Sequence, residues 1–380
     1  MNSVRETGTE QIRFQDSLGR VLVEDIISDI DMPPFDKSSV DGFACKRQDT
    51  DGDLEVVETI AAGTTPSLGI KAGQCARIMT GAMVPDGADC VLMVEETETM
   101  QSGRIRFRGK LLKANIAYRA EDLKKNDVVL KAGMLIGPQE IAVIATVGHH
   151  TVEVARRPVV GVISTGSELV EPWETPGLSQ IRNSNAWQLL SQITRAGASG
   201  KYYGIASDDP DATYSLVVKA ISESDIVLIT GGVSMGDFDF VPSVLEKAGV
   251  KILFSRVAVQ PGKPTTFGIH GDAIVFGLPG NPVSSFMQFE LMVRPLICKM
   301  MRYEWQPLVR ELPLKEDYSR KSDERMALVP VKIDEENFVV PVNYHGSAHI
   351  SSLLEAEGII SIPVGVKMIP KRKVVSVRQI

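Results

Sequence analysis

Asp225–Phe240 reads DIVLITGGVSMGDFDF, a short β-branched run that passes directly into two glycines and a turn. Every position from Ile226 to Ile229 is apolar, which suits a strand covered on both faces rather than one with a wet side. The loop from Thr230 leads toward a helix expected over about Asp239–Ala248. The same pattern recurs where Val159–Ile163 opens into Ser-Thr-Gly and where Ala273–Phe276 opens into Gly-Leu-Pro-Gly. Further helices are expected at about Asn185–Ala196, Pro210–Glu223 and Pro282–Met301. Strands alternating with helices predict a mostly parallel sheet with helices on both faces, and ligands of such sheets sit outside the carboxyl ends of the strands.

This α/β domain spans 157–302, and the texture changes on either side of it. Residues 1–156 read as an irregular β-rich region, with short runs such as Leu54–Ile60 and Ala88–Val94 set between Gly and Pro. Pro138–Val147 is an exception, since Pro138 suits a first helical turn and Ile141, Ile144 and Ala145 share a face. Residues 303–380 carry the runs Met326–Val331, Phe338–Val342 and Ile359–Pro363, which predict a small all-β domain. The fold class expected is therefore multidomain, a central α/β domain plus β-rich domains.

A chain of 380 residues exceeds one ordinary core, and its 43% hydrophobic and 23% charged content belong to a globular protein. The net charge of −7 and pI near 5.4 exclude a general nucleic-acid or acidic-membrane binder, so an anionic ligand must be captured locally. No run of roughly eighteen apolar residues and no leader-like start is visible, and cytoplasm is the expected location. Cys45, Cys75, Cys90 and Cys298 lie far apart and are expected as reduced, mostly buried thiols.

Gly231, Gly232 and Gly236 in the Thr230–Phe240 loop allow backbone to approach a phosphate, and the helix that follows favours an anion. Asp237 and Asp239 in the same loop would repel that phosphate unless a divalent cation bridges them. On this loop alone, helix capping by either acid explains the residues equally well. Gly232–Gly236 also matches G-x-S-x-G around Ser234, which makes a serine hydrolase the first rival, with His270, His345 and His349 downstream. His345 and His349 stand four apart, yet no carboxylate completes a zinc site.

Two other loops favour an anion site. GLPGNPVSS, 277–285, carries Pro279, Gly280, Asn281 and Pro282 at a helix start, and PGKPTTFG, 261–268, holds Lys263 in a rigid turn. STGSELVEP, 164–172, adds Ser164, Thr165 and Glu168. Neither GxGxxG nor a Walker motif occurs. In the N-terminal region, PPFDKSSVDGFA (33–44) and RIMTGAMVPDGAD (77–89) are dense in turn residues and offer Asp41 and Thr80 as polar ligands.

These segments, with RAEDL at 119–123, SDDP at 207–210 and GSAHISSLLEAEG at 346–358, resemble the molybdopterin molybdenumtransferase family, the MoeA proteins and the E domain of gephyrin. The resemblance runs from about Asp16 to the C-terminus. It implies a central three-layer α/β molybdopterin-binding domain, and a homodimer in which that domain meets the partner's N-terminal region. It also implies a reaction in which adenylyl-molybdopterin and molybdate give molybdenum cofactor and AMP with the help of Mg²⁺ or another divalent cation. By position it carries catalytic roles to Asp41, Thr80, Asp122, Glu168, Asp208 and Asp239, the metal falling to Asp239, Asp208 and Glu168. Substrate contacts fall to Gly231, Gly232, Ser234, Gly236, Arg256, Lys263, Pro279, Gly280, Asn281 and Pro282, and molybdate contacts to Ser351, Ser352 and Arg325.

The chain departs from the family where Gln260 stands for a usual lysine, Asn183 and Ser167 for common aspartates, and where no amphipathic helix precedes Leu18–Ile26. A molybdopterin adenylyltransferase and a gephyrin-like scaffold without catalysis are the competing functions. The adenylyltransferase and molybdenum-enzyme apoproteins are the partners the resemblance implies, with no nucleic acid and no membrane.

Overall fold

The structure, a computed structural model, describes residues 4–111, 113–207, 209–232, 240–342, 346 and 348–380. Its contacts divide it into two units, one made of residues 12–18 and 24–152, the other of 4–11, 19–23 and 153–380. The boundary expected at 156 groups 4–11 and 19–23 with the N-terminal region. Long-range bonds place them instead in the larger unit: the Thr7 N–H donates to the Met300 carbonyl at 2.8 Å, and Arg20 donates to the Ala155 carbonyl at 2.8 Å. Such pairings join segments far apart in sequence and leave no local signal.

In the larger unit, strands β1 (Val159–Thr165), β2 (Ser199–Ala206), β3 (Ile226–Thr230), β4 (Lys251–Arg256), β5 (Pro264–His270) and β6 (Ala273–Leu278) form a six-stranded sheet of order β2-β1-β3-β6-β5-β4. The first four neighbours run parallel, and β5 and β4 continue the sheet antiparallel. Side chains alternate across a strand, so Val160, Val162, Leu228 and Phe276 enter one core while Ile163, Val227, Ile229 and Val275 enter another. Helix α1 (Asn185–Arg195) covers the first face through Leu189 and Ile193. Helices α2 (Pro210–Glu223) and α3 (Val241–Lys247) cover the second through Val217, Ala220 and Val244. Two buried faces explain why the central strands read as unbroken apolar runs, each buried Val, Ile, Leu or Phe contributing roughly 1.5–3 kcal/mol.

The helix expected as continuous over Pro282–Met301 is interrupted. It runs as α4 (Pro282–Gln288), one wide π turn (Phe289–Val293) and α5 (Arg294–Met300). Pro295 lacks an N–H for the regular ladder, and the wider turn absorbs the lost bond. The same turn buries Glu290, which takes Arg195 at 2.5 Å, Arg294 at 2.9 Å and Gln192 at 2.8 Å.

The tail sheet runs in the order Val259–Gln260, Met326–Ile333, Gly358–Ile362, Val374–Gln379, Val309–Pro313, with Val339–Pro341 paired to Met326–Ile333. Its first strand comes from the α/β domain, so Gln260 faces Ala327 across a parallel pair. In the smaller unit a six-stranded sheet centres on Gly42–Cys45 and Gln74–Ile78. Cys75, Cys45 and Cys90 lie side by side across it, all buried and without a disulfide, with the Cys45 and Cys90 sulfurs 3.7 Å apart. Burial pushes the Cys75 thiol up to about 12.

Candidate active site

Parallel strands β1, β3 and β6 end together, and their loops enclose a cleft of about 670 Å³. Thr165, Gly166 and Glu168 follow β1, Thr230–Gly232 follow β3, and Pro279–Pro282 follow β6. The start of α1 supplies Arg182–Asn185, and Ala348 and Ile350 of the tail close the remaining side. Gly231 and Gly232 have φ of +92° and +61°, and a Cβ on Gly231 would run into the Thr165 carbonyl. Only glycine gives that backbone conformation and that close approach together. The Gly231 N–H is already bonded to the Leu278 carbonyl at 3.2 Å, so this residue shapes the cleft rather than donating to a ligand. The exposed Glu168 carboxylate folds back against Gly166, whose φ is +142°.

Of the residues expected from sequence, Glu168, Gly231, Gly232, Pro279, Gly280, Asn281 and Pro282 line this cleft. Arg256, Lys263, Ser351 and Ser352 stand in adjoining segments but not among its described walls. Arg256 and Lys263 flank the cleft residue Pro264, Arg256 as its cross-strand neighbour and Lys263 as the residue before it. Gln260 is exposed on the tail sheet and lies outside those walls as well. Asp208, Ser234, Gly236 and Asp239 fall outside the described residues, as do Asp237 and His345.

The smaller unit brings Asp41 and Thr80 together. Gly42 pairs with Ile78 across antiparallel strands, so the residue before one strand meets the turn after the other. Both the N–H and the hydroxyl of Thr80 donate to Asp41 Oδ1, at 2.6 and 2.7 Å. These two bonds, with Arg77 adding a smaller attraction, hold the Asp41 carboxyl below the usual aspartate value. Asp122 is exposed in the same unit, its N–H donating to the Met32 carbonyl at 3.0 Å.

Sequence reasoning overlooked Arg182 and Asn185, which line the cleft, and Tyr202 and Glu171 behind its wall. The IRNSN segment carried the only local signal, two amides at a helix start. Among the described residues no three His, Cys, Asp or Glu side chains gather as a metal site, and no helix is long and apolar enough to cross a membrane.

Three family models match the chain in succession. They are the MoeA N-terminal region (domain I and II) over residues 1–148, the probable molybdopterin binding domain over 161–299, and the MoeA C-terminal region (domain IV) over 311–380. The molybdopterin molybdenumtransferase of Bacillus subtilis is 36% identical over 373 residues, covering 94% of this chain and 87% of that protein. That of Staphylococcus epidermidis is 36% identical over 367 residues, covering 94% and 87%. The crystal structure of the molybdopterin biosynthesis MoeA protein of Pyrococcus horikoshii superposes with a TM-score of 0.85 at 29% identity, covering 100% of this chain and 97% of that one. Fold and cleft thus define a molybdenum cofactor biosynthesis enzyme, a transferase with a molybdopterin-binding α/β domain set among β-rich parts. The chain belongs to the MoeA family of molybdopterin molybdenumtransferases.

Proposed function

We propose that this enzyme inserts molybdate into adenylyl-molybdopterin and releases AMP. The observation that carries the proposal is the cleft itself, open at the carboxyl ends of three parallel strands within a molybdopterin-binding domain. Its volume of about 670 Å³ is in the range of small-molecule sites, roughly 300–1,000 Å³. Arg182 and Glu168 are its charged described walls, and they divide the work. Arg182 attracts the pyrophosphate. Glu168 faces it as an oxygen donor that suits a hard divalent cation, with Asp208 and Asp239 as its proposed companions. Such a cation, when bound, offsets the repulsion between carboxylate and phosphate and polarises the bond to be broken. Gly231 and Gly232 keep side chains out of the ligand's path, and Ala348 and Ile350 shield it from water.

Two substrate pairs test this. Adenylyl-molybdopterin with molybdate should yield AMP in a molybdate-dependent reaction, whereas ATP with molybdopterin should yield no adenylated product. Adenylation in the second mixture would assign the earlier step. Reaction in neither, with folded protein and added Mg²⁺, would leave a scaffold as the function.

A further inference from the structure

Asn183 lies where four segments of the α/β domain meet, and each of its side-chain hydrogen bonds has a forced direction. The Ala186 N–H can only donate, and it reaches Asn183 Oδ1 at 3.3 Å; Ser164 Oγ donates to the same oxygen at 3.1 Å. The amide nitrogen must therefore face the other way, where Nδ2 donates to the Tyr202 hydroxyl oxygen at 2.8 Å. Tyr202 then directs its one proton to Glu171 Oε1 at 2.6 Å. Burial first, and then the Glu171 carboxylate, push the Tyr202 hydroxyl above the usual phenol range, so it remains a donor. Asn183 is 1% exposed, so no water can correct a misdirected lone pair there. Trp187 packs on the Tyr202 ring, with centroids 5.6 Å apart, and fixes that ring from outside.

We propose that Glu171 and Tyr202 are positioning residues: through Asn183 they hold the first turn of α1, and with it the Ser184–Asn185 wall of the cleft, and they do so only with an amide at position 183. Asn183 ties together β1 through Ser164, β2 through Tyr202 and α1 through Ala186. Asn185, further along the same turn, donates to the Gly280 carbonyl at 2.7 Å and so connects this wall to the loop after β6. The inference rests on the cleft being the adenylyl-molybdopterin site.

A carboxylate at position 183 would break the pattern. It and Glu171 would both need the single Tyr202 proton, and one of them would stay ionised against an oxygen lone pair. Among the described residues, the other titratable groups on these elements are Glu168, Glu174, Arg182, Arg195, Lys201 and Tyr203; Arg182 Nε donates to the Glu174 carbonyl at 3.1 Å, Arg195 is engaged by Glu290, and Lys201 and Tyr203 by Glu223. None of these stands between Asn183 and Tyr202. As pH falls, one of the two competing carboxyls takes up a proton and supplies the missing donor. Replacing Glu171 by Gln supplies it at every pH, because the Gln amide donates to Tyr202 and frees the tyrosine proton for the introduced carboxylate.

The test compares N183D, Y202F and N183D/E171Q in molybdate-dependent AMP release, with the carboxyl introduced at position 183 followed by NMR in ligand-free protein. Y202F keeps the ring and loses both hydrogen bonds of the hydroxyl, to Asn183 and to Glu171, so KM for adenylyl-molybdopterin should rise about five- to tenfold with little change in kcat. N183D should raise KM more at pH 8 than at pH 6, and N183D/E171Q should return it to within about twofold of wild type at both. Without ligand, the introduced carboxyl in N183D should titrate above the ordinary aspartate range and return toward it in the double variant. A normal titration in N183D, no rescue by E171Q, or an unchanged KM in Y202F overturns the proposal. If N183D does not fold, Y202F alone decides. If wild type releases no AMP, the proposed reaction fails, and the ligand-free titration still judges the positioning unit.

Discussion

The lowered pKa of the Asp41 carboxyl rests chiefly on one neighbour. Thr80 donates to it twice, and the carboxyl is held below its ordinary value of 3.8. A carboxyl with a depressed folded pKa contributes stability that is fully present above the unfolded value and lost as pH falls through the folded one. Thr80→Val removes the hydroxyl bond and leaves the N–H bond, so the Asp41 midpoint should move up toward 3.8 without reaching it. Any stability gap between wild type and variant should be complete above that value and close below the Asp41 midpoint. Carboxyl NMR titration checks the first statement, and thermal melting across the acid range checks the second. A midpoint that does not move would mean the N–H bond alone accounts for the depression. That Asp41 and Thr80 stand at turns was legible in sequence, because turn-dense segments stand out; that the two meet was not. The Tyr202–Glu171 pair was not, because a hydrogen bond between residues 31 apart leaves no local pattern.

The π turn is the element where charge and packing are most tightly bound together. Glu290 is 1% exposed and accepts from Arg195, Arg294 and Gln192, while Arg378 of the tail donates to its carbonyl and packs, like Arg294, over the Trp305 ring. Glu290→Leu removes the one anion among these cations, and it should destabilise the protein by about 3 kcal/mol in urea unfolding. Arg195→Leu should cost clearly less, because that guanidinium is 42% exposed and the buried Glu290 carboxylate keeps Arg294 and Gln192 as partners. Equal losses would contradict the burial argument. Central strands β1, β3 and β6 were readable as apolar runs because both faces are covered. Edge strands β2 and β4 were not, because their outer residues are free to be polar. The pairing of Val259–Gln260 with the tail is two residues long and was invisible for that reason.

At the scale of the whole molecule, domain order was legible from changes in texture, whereas the way 4–11 and 19–23 join the larger unit depended on distant backbone bonds. The residues expected to act together are divided between the two units: Asp41, Thr80 and Asp122 in one, Glu168 and the glycine loops in the other. We propose that the enzyme works as a homodimer in which Asp41 and Thr80 of one copy serve the cleft of the second. Mixing Asp41→Ala protein with Glu168→Ala protein tests this most directly, with molybdate-dependent AMP release as the readout. Each variant alone should be nearly inactive. After subunit exchange, about a quarter of wild-type activity should return, since half of the dimers are hybrids and each hybrid keeps one intact site of two. Exchange verified by mass spectrometry with no recovery of AMP release would contradict a site built from two copies.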